Sequence, residues 1–114
     1  MNRLAIALAL AAALGARPAA AAGSAEHGRV MAQRLCSACH AIGSHGESPN
    51  HKAPPFRTLG TKYPIDMLQE ALAEGIRTGH PAMPAFAFEP PQIDDLIAYI
   101  KSVQPPRPLK IAYP

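Results

Sequence analysis

Apolar side chains recur at intervals of three or four residues in three stretches of this 114-residue chain. That spacing puts them on one face of a helix. The stretches cover residues 25–35, residues from Pro64 to the glycines at 75 and 79, and residues from about Pro91 to Val103. The apolar positions are Val30, Met31, Leu35, Ile65, Leu68, Leu72, Ile76, Ile93, Leu96, Ile97, Ile100 and Val103. Because no stretch alternates with the period of a strand, the pattern predicts an all-α fold with about three main helices.

The first predicted helix has a clear start and one weak point. Ser24 can cap its N-terminus, and Glu26 in the first turn suits the helix dipole. Gly28 costs about 1 kcal/mol relative to alanine inside a helix. The helix alone leaves two interpretations of Gly28 open. It can mark a close crossing with another helix, or it can be a tolerated glycine near a frayed end.

Proline and glycine break the pattern between and after the helices. Residues 41–63 contain three of each and predict a loop. Residues 80–86 read His-Pro-Ala-Met-Pro-Ala-Phe, and the prolines around Met83 predict a stiff, extended segment. Residues 105–114 are rich in proline, so we expect the last helix to stop there and the tail to be loosely held.

The N-terminal residues have the layout of a secretory signal peptide. A short charged start at Arg3 precedes an apolar run of about a dozen residues, and an Ala-x-Ala pattern ends at Ala22. The run is much shorter than the ~20 residues that span a membrane. We therefore expect residues 1–22 to be a signal peptide, with export to a bacterial periplasm and no stable membrane insertion after cleavage. Residues 23–114 then form one domain.

Cleavage changes the charge of the chain. Loss of Arg3 and Arg17 leaves nine of the eleven Lys and Arg against eight acidic residues, a formal net charge of about +1. No basic cluster remains, so the sequence gives no support for nucleic-acid binding. A domain of this size without tryptophan buries only a modest core by itself.

The only two cysteines lie in the pentad Cys36-Ser-Ala-Cys39-His40. This spacing suits two thioether bonds to one haem, with the adjacent histidine beneath the iron. The alternatives to haem attachment are a redox disulfide and half of a zinc site. No βαβ pattern accompanies the motif, and His45 and His51 are not spaced as a second zinc pair. The pentad therefore predicts one covalently attached haem c, which would also supply an apolar centre for a short chain.

An iron that binds His40 has an opposite position to fill. Met83 follows 43 residues later, far enough for the chain to pass round the haem, and its flanking prolines reduce the entropy lost on ligation. We expect Met83 to be the second ligand and His80 to be the alternative. The remaining candidates are Met31, Met67, His27, His45 and His51. Met31 lies too close to the pentad, Met67 looks like a packing residue, and His45 and His51 lie in polar loop.

Together these residues resemble the class I cytochromes c, in particular the small mono-haem bacterial type. The resemblance extends over nearly the whole chain after residue 22. It includes the pentad, the Ala53-Pro-Pro-Phe56 loop, residues 80–86 and Leu96-x-x-Tyr99. The family implies that the first and last helices cross, which favours the close-crossing interpretation of Gly28 with Tyr99 as its partner. It also implies a proline carbonyl that accepts a hydrogen bond from the proximal histidine, and either Pro54 or Pro55 matches that residue.

Closed ligation by histidine and methionine leaves the iron no vacant site for a substrate. The resemblance therefore implies an electron carrier, not an enzyme, that moves single electrons from a periplasmic dehydrogenase or respiratory complex to an oxidase or reductase. We expect a monomer when the protein is free. A non-catalytic haem subunit stably bound to a periplasmic oxidoreductase is the main alternative. A gas sensor or peroxidase with Met83 detached is a second one, and no distal acid–base pair supports it.

Overall fold

The structure, a computed structural model, describes residue 15 and residues 23–75 and 82–107. Helix α1 spans Ala25–Leu35, α2 spans Leu68–Glu74 and α3 spans Pro90–Ser102, and 3₁₀ helices cover Phe56–Thr61 and Ile65–Met67. No strand occurs in these ranges. The all-α prediction is confirmed. The proposed signal peptide, apart from residue 15, and the last seven residues of the tail lie outside the described residues.

Helices α1 and α3 cross at Gly28, which is buried. A β-carbon at this position would contact the carbonyl oxygen of Asp95 and would lie 2.7 Å from Cβ of Tyr99. Only glycine allows the two backbones to approach so closely without displacement. The close-crossing interpretation of Gly28 is therefore confirmed, and the next turn of α1 brings Ala32 into full burial.

The N-terminus of α1 is attached to α3 by one carboxylate. Asp95 Oδ1 accepts a hydrogen bond from the Ser24 backbone N–H at 2.6 Å, and Asp95 Oδ2 lies 3.6 Å from Nδ1 of His27. Ser24 Oγ in turn accepts the His27 backbone N–H at 3.2 Å, as its capping role predicts. Because the carboxylate satisfies a free N–H group of α1, it fixes the helix at its start as well as at its crossing point.

The second predicted helix is shorter and less regular than its apolar pattern indicates. Pro64 has an extended ψ of 135°, a 3₁₀ turn follows it, and α-helical geometry begins only at Leu68. The helix ends at Gly75, where φ is +88°, a conformation that glycine adopts without strain. Ile76 and Gly79 lie outside the described residues.

The remaining differences concern the loop and the start of α3. The predicted loop at residues 41–63 contains the 3₁₀ helix Phe56–Thr61. Helix α3 begins one residue earlier than expected, because Glu89 and Gln92 form a reciprocal capping box around Pro90 and Pro91.

The core lies between α1, α3 and the short helices. Its buried members are Ala32, Phe56, Ile65, Leu72, Ile93, Leu96, Ile97, Tyr99 and Ile100. Gln104, just beyond α3, donates to the Phe56 carbonyl at 2.7 Å and accepts the Gly60 N–H at 3.0 Å. No helix among the described residues is long and apolar enough to cross a bilayer.

Candidate haem site

The pentad forms the turn that directly follows α1. The Cys36 N–H donates to the Ala32 carbonyl at 2.9 Å, and the Cys36 carbonyl accepts from the backbone N–H groups of Cys39 at 3.1 Å and His40 at 2.9 Å. This turn brings both thiols and the imidazole to one cleft. Both cysteines are free and half-buried. Burial raises the pKa of the Cys36 thiol to about 11, so the free side chain is protonated at neutral pH.

The His40 ring is oriented by a backbone carbonyl. Its Nδ1 lies 2.8 Å from the Pro54 oxygen, and because a carbonyl can only accept, Nδ1 carries the proton. Nε2 is then the nitrogen with a free lone pair. The carbonyl of Pro55 instead accepts from the Thr58 backbone N–H at 3.0 Å and from its hydroxyl at 2.8 Å. Pro54 is thus the proline at hydrogen-bond distance from His40.

A second set of hydrogen bonds holds the backbone that follows His40. The Ala41 N–H donates to the Ser48 hydroxyl at 2.9 Å, and Ser48 is only 7% exposed. The Ala41 carbonyl accepts the Phe56 N–H at 2.9 Å. The Phe56 ring centroid lies 5.4 Å from that of His40. Sequence reasoning missed Ser48, because a serine in a glycine-rich loop gives no sign that it will be buried.

The space beside the pentad consists of two adjoining clefts of about 770 and 620 Å³. They share Cys36, His40, Met83 and Phe86. The other lining residues are mostly apolar and include Leu35, Ala53, Leu59, Tyr63, Leu68, Leu72, Phe88, Leu96 and Ile100. An apolar space with two thiols and one oriented imidazole fits a covalently bound porphyrin.

Met83 lies in the segment that runs from residue 82 to α3. Its side chain is half-buried and lines both clefts. The segment is attached to α2 by a hydrogen bond from the Phe88 N–H to the Leu72 carbonyl at 3.1 Å, and the rings of Phe86 and Phe88 stack at 5.5 Å. The structure therefore brings Met83 to the cleft that also contains His40, as the two-ligand hypothesis requires.

The other candidate ligands are placed differently. Met67 is 68% exposed, so our interpretation of it as a packing residue is wrong. The physical reason is that Met67 ends a 3₁₀ turn, whose angular spacing differs from that of the α-helix assumed for it. His45 and His51 are exposed, and His80 lies outside the described residues. Within residues 23–75 and 82–107 no three His, Cys, Asp or Glu side chains group as metal ligands.

A cleft with this donor set, built on a crossing of the first and last helices, defines a small c-type cytochrome. The profile of the family described as cytochrome c oxidase, cbb3-type, subunit III, matches residues 23–100. Cytochrome c-552 from Bradyrhizobium diazoefficiens is 33% identical to this chain over 86 residues, which cover 75% of this chain and 81% of that protein. The chain therefore belongs to this family of c-type cytochromes. It carries covalently bound haem c and is an electron carrier, not an enzyme.

Proposed function

We propose that this protein is a periplasmic mono-haem cytochrome in which Cys36 and Cys39 form the two thioethers and His40 and Met83 ligate the iron. The observation that carries the proposal is the convergence of these four side chains on one apolar cleft, although Met83 lies 43 residues after His40 in the chain. The Pro54 carbonyl orients the His40 ring by accepting a hydrogen bond from Nδ1.

The bound haem supplies an iron that gains and loses a single electron. The chain determines how readily it does so. Pro54 holds the proton on Nδ1 of His40, which leaves Nε2 free and makes it a better donor. The Met83 thioether is a soft ligand that favours Fe(II), and the apolar lining disfavours the extra charge of Fe(III). Both effects raise the reduction potential, which suits a carrier in a respiratory chain.

A redox titration of the purified holoprotein tests the carrier function. We expect one reversible step that fits a one-electron Nernst curve, and a reduced form that binds carbon monoxide slowly because Met83 closes the iron. Rapid carbon monoxide binding by the reduced form would instead favour the gas-sensor or peroxidase alternative. Substituting His80 by alanine tests the other ligand candidate, and we expect that variant to keep the wild-type spectrum.

Export to the periplasm completes the proposal. The charged start, apolar run and Ala-x-Ala ending of residues 1–22 support cleavage before Gly23, and the family profile begins to match at residue 23. Gly23 also fits closely against the backbone of Asp94 and Asp95, which is consistent with a domain that begins there. N-terminal sequencing of the haem-containing protein from a periplasmic extract should start at Gly23, and a start at Met1 would contradict this part of the proposal.

The partners are redox proteins that donate and accept single electrons, and nucleic acid is not among them. A formal net charge of about +1 on residues 23–114 gives little long-range steering toward a partner of either sign. We expect a monomer when the protein is free. Such a carrier would exchange electrons with a dehydrogenase or respiratory complex on one side and an oxidase or reductase on the other.

A second candidate function is that of a haem subunit held permanently in a periplasmic oxidoreductase. The description of the matching family, which names an oxidase subunit, favours this candidate. The chemistry at the iron would be the same in both cases. Gel filtration of the protein extracted from its native cells separates them, because a free carrier elutes at the size of one small chain and a subunit elutes with its complex.

A further inference from the structure

Helix α3 is connected to both backbone segments that carry the hydrogen bond between His40 and Pro54. Tyr99 Oη donates to the carbonyl of Ile42, two residues after His40, at 2.9 Å. Gln104 Nε2 donates to the carbonyl of Phe56, two residues after Pro54, at 2.7 Å. The segments that carry the donor and the acceptor of the histidine hydrogen bond are thus each held by a side chain from α3 or from the turn that directly follows it.

The two connections differ in how they are anchored. Tyr99 belongs to α3 itself and is buried in the core. Gln104 follows the helix, and its Nε2 also donates to the Ile100 carbonyl at 2.9 Å, while its backbone N–H donates to the Lys101 carbonyl at 3.3 Å. These two bonds hold Gln104 against the C-terminal end of α3, five residues after Tyr99.

We propose that Tyr99 and Gln104 are positioning residues that set the length of the His40–Pro54 hydrogen bond, and through it the reduction potential. This inference rests on the proposed ligation of iron by His40. A shorter hydrogen bond from Nδ1 makes Nε2 a stronger donor, and a stronger donor stabilises Fe(III) and lowers the potential. Loosening either segment from α3 therefore raises the potential.

The two segments also contact one another without α3. The Phe56 N–H donates to the Ala41 carbonyl at 2.9 Å, and Ser48 accepts the Ala41 N–H. These bonds keep the loop closed when one connection to α3 is lost. A single substitution in α3 should therefore loosen the His40–Pro54 bond slightly, whereas removal of both connections should loosen it more than the sum of the two.

The test uses the holoprotein with Tyr99→Phe, Gln104→Met and the double substitution. Phenylalanine keeps the buried ring, and methionine keeps most of the glutamine volume, so both variants should fold. Ser102→Ala is the matched control, because the Ser102 hydroxyl donates within α3 to the Tyr99 carbonyl at 2.6 Å and touches neither segment. The readouts are the exchange rate of the His40 Nδ1 proton, measured by NMR in the reduced state, and the reduction potential.

We expect exchange about tenfold faster in the double variant, the factor that corresponds to loss of roughly one net hydrogen bond. The reduction potential should be most positive in the double variant and intermediate in the two single variants. Ser102→Ala should have the potential of the wild type. Variants that lose thermal stability but keep the wild-type exchange rate and potential would overturn the positioning role alone. Faster exchange at constant potential would overturn the link between the hydrogen bond and the potential, and it would leave the proposed ligation of iron by His40 untouched.

Discussion

The two sides of the cleft are built in different ways. The histidine wall, residues 36–56, is held by hydrogen bonds between its own residues and by the side chains of Tyr99 and Gln104. The methionine wall, residues 82–88, lies outside any helix, and the hydrogen bonds described for it join Phe86 to Pro84 and Phe88 to Leu72. Apart from these bonds, apolar contacts of Phe86 and Phe88 hold the methionine wall in place.

This difference indicates which ligand is easier to displace. A side chain held by several directed hydrogen bonds keeps its orientation when one neighbour moves, because the other bonds still define its position. Apolar packing defines a volume but not a direction, so the Met83 thioether depends on the rigidity that prolines give to its segment. We therefore expect the histidine wall to hold its geometry and the methionine wall to open first.

The largest effect should follow from removing the covalent attachment in the histidine wall. Cys36→Ala combined with Cys39→Ala should leave no covalent haem, because no other cysteine is present. Denaturing mass spectrometry should then give the mass of the bare peptide, whereas the wild type has the mass of the peptide plus one haem. Haem that acid–acetone extracts from the wild-type protein would contradict the thioether assignment.

The next largest effect tests whether the helix crossing supports the histidine wall. Gly28→Ala places a β-carbon against the Asp95 carbonyl and the Tyr99 side chain, and it should lower the free energy of unfolding by about 3 kcal/mol. Gly43→Ala is the control, since a β-carbon there meets nothing within 4 Å and should change stability by less than about 0.5 kcal/mol. Chemical denaturation measures both, and equal stability of the two variants would refute the close crossing.

Removal of the second ligand tests the methionine wall alone. Met83→Ala should keep the haem attached, lower the reduction potential and let the iron bind exogenous ligands such as imidazole. Met67→Ala is the matched control, because this methionine is exposed and should leave the spectrum unchanged. If Met83→Ala kept the wild-type spectrum, the ligand would have to be His80 or another group.

A smaller effect should appear in alkaline solution at Tyr99, the α3 residue that bonds the histidine wall at Ile42. Burial raises the pKa of Tyr99 above its usual value of about 10, so the unfolded chain ionises first as the pH rises. The stability that the neutral phenol contributes is complete below about pH 10 and is lost as the pH passes through the folded-state pKa. At neutral pH the free energy of unfolding of the wild type should exceed that of Tyr99→Phe by about 1 kcal/mol.

Denaturation of both proteins at about pH 7 and about pH 11 measures this difference. The advantage of the wild type should become smaller at the higher pH, because only the wild type has the Tyr99 phenol to ionise. An advantage that stayed constant or grew with pH would contradict the burial of a neutral, hydrogen-bonded Tyr99.

The smallest effect is expected at the surface, away from both walls. Lys101 Nζ lies 2.6 Å from Asp66 Oδ1, but the two side chains are 49% and 61% exposed. Solvent screens such a pair, so Lys101→Ala should change the free energy of unfolding by no more than about 0.5 kcal/mol and leave the potential unaltered. A loss of several times that amount would mean that this pair anchors the 3₁₀ helix Ile65–Met67 to α3.

The sequence predicted the parts of the molecule whose chemistry is local. The pentad needs only its own spacing, and the apolar periodicity of α3 marks the face that it buries. The prediction for the buried face of α1 was wrong, because Val30 and Leu35 are exposed and the crossing buries the small residues Gly28 and Ala32 instead. The choice between Pro54 and Pro55 could not be made, because it depends on how a loop folds back onto His40. The roles of Ser48 and Gln104 were missed for the same reason, since a polar side chain that bonds a distant backbone carries no periodic signal.

The optical spectrum of the purified protein in both oxidation states tests the central claim most directly. Ligation by His40 and Met83 predicts a weak far-red band in the oxidised form, from sulfur bound to Fe(III), that disappears in Met83→Ala and persists in Met67→Ala. A coloured protein without that band would contradict methionine ligation. A colourless protein from a host able to mature c-type cytochromes would contradict the haem assignment itself.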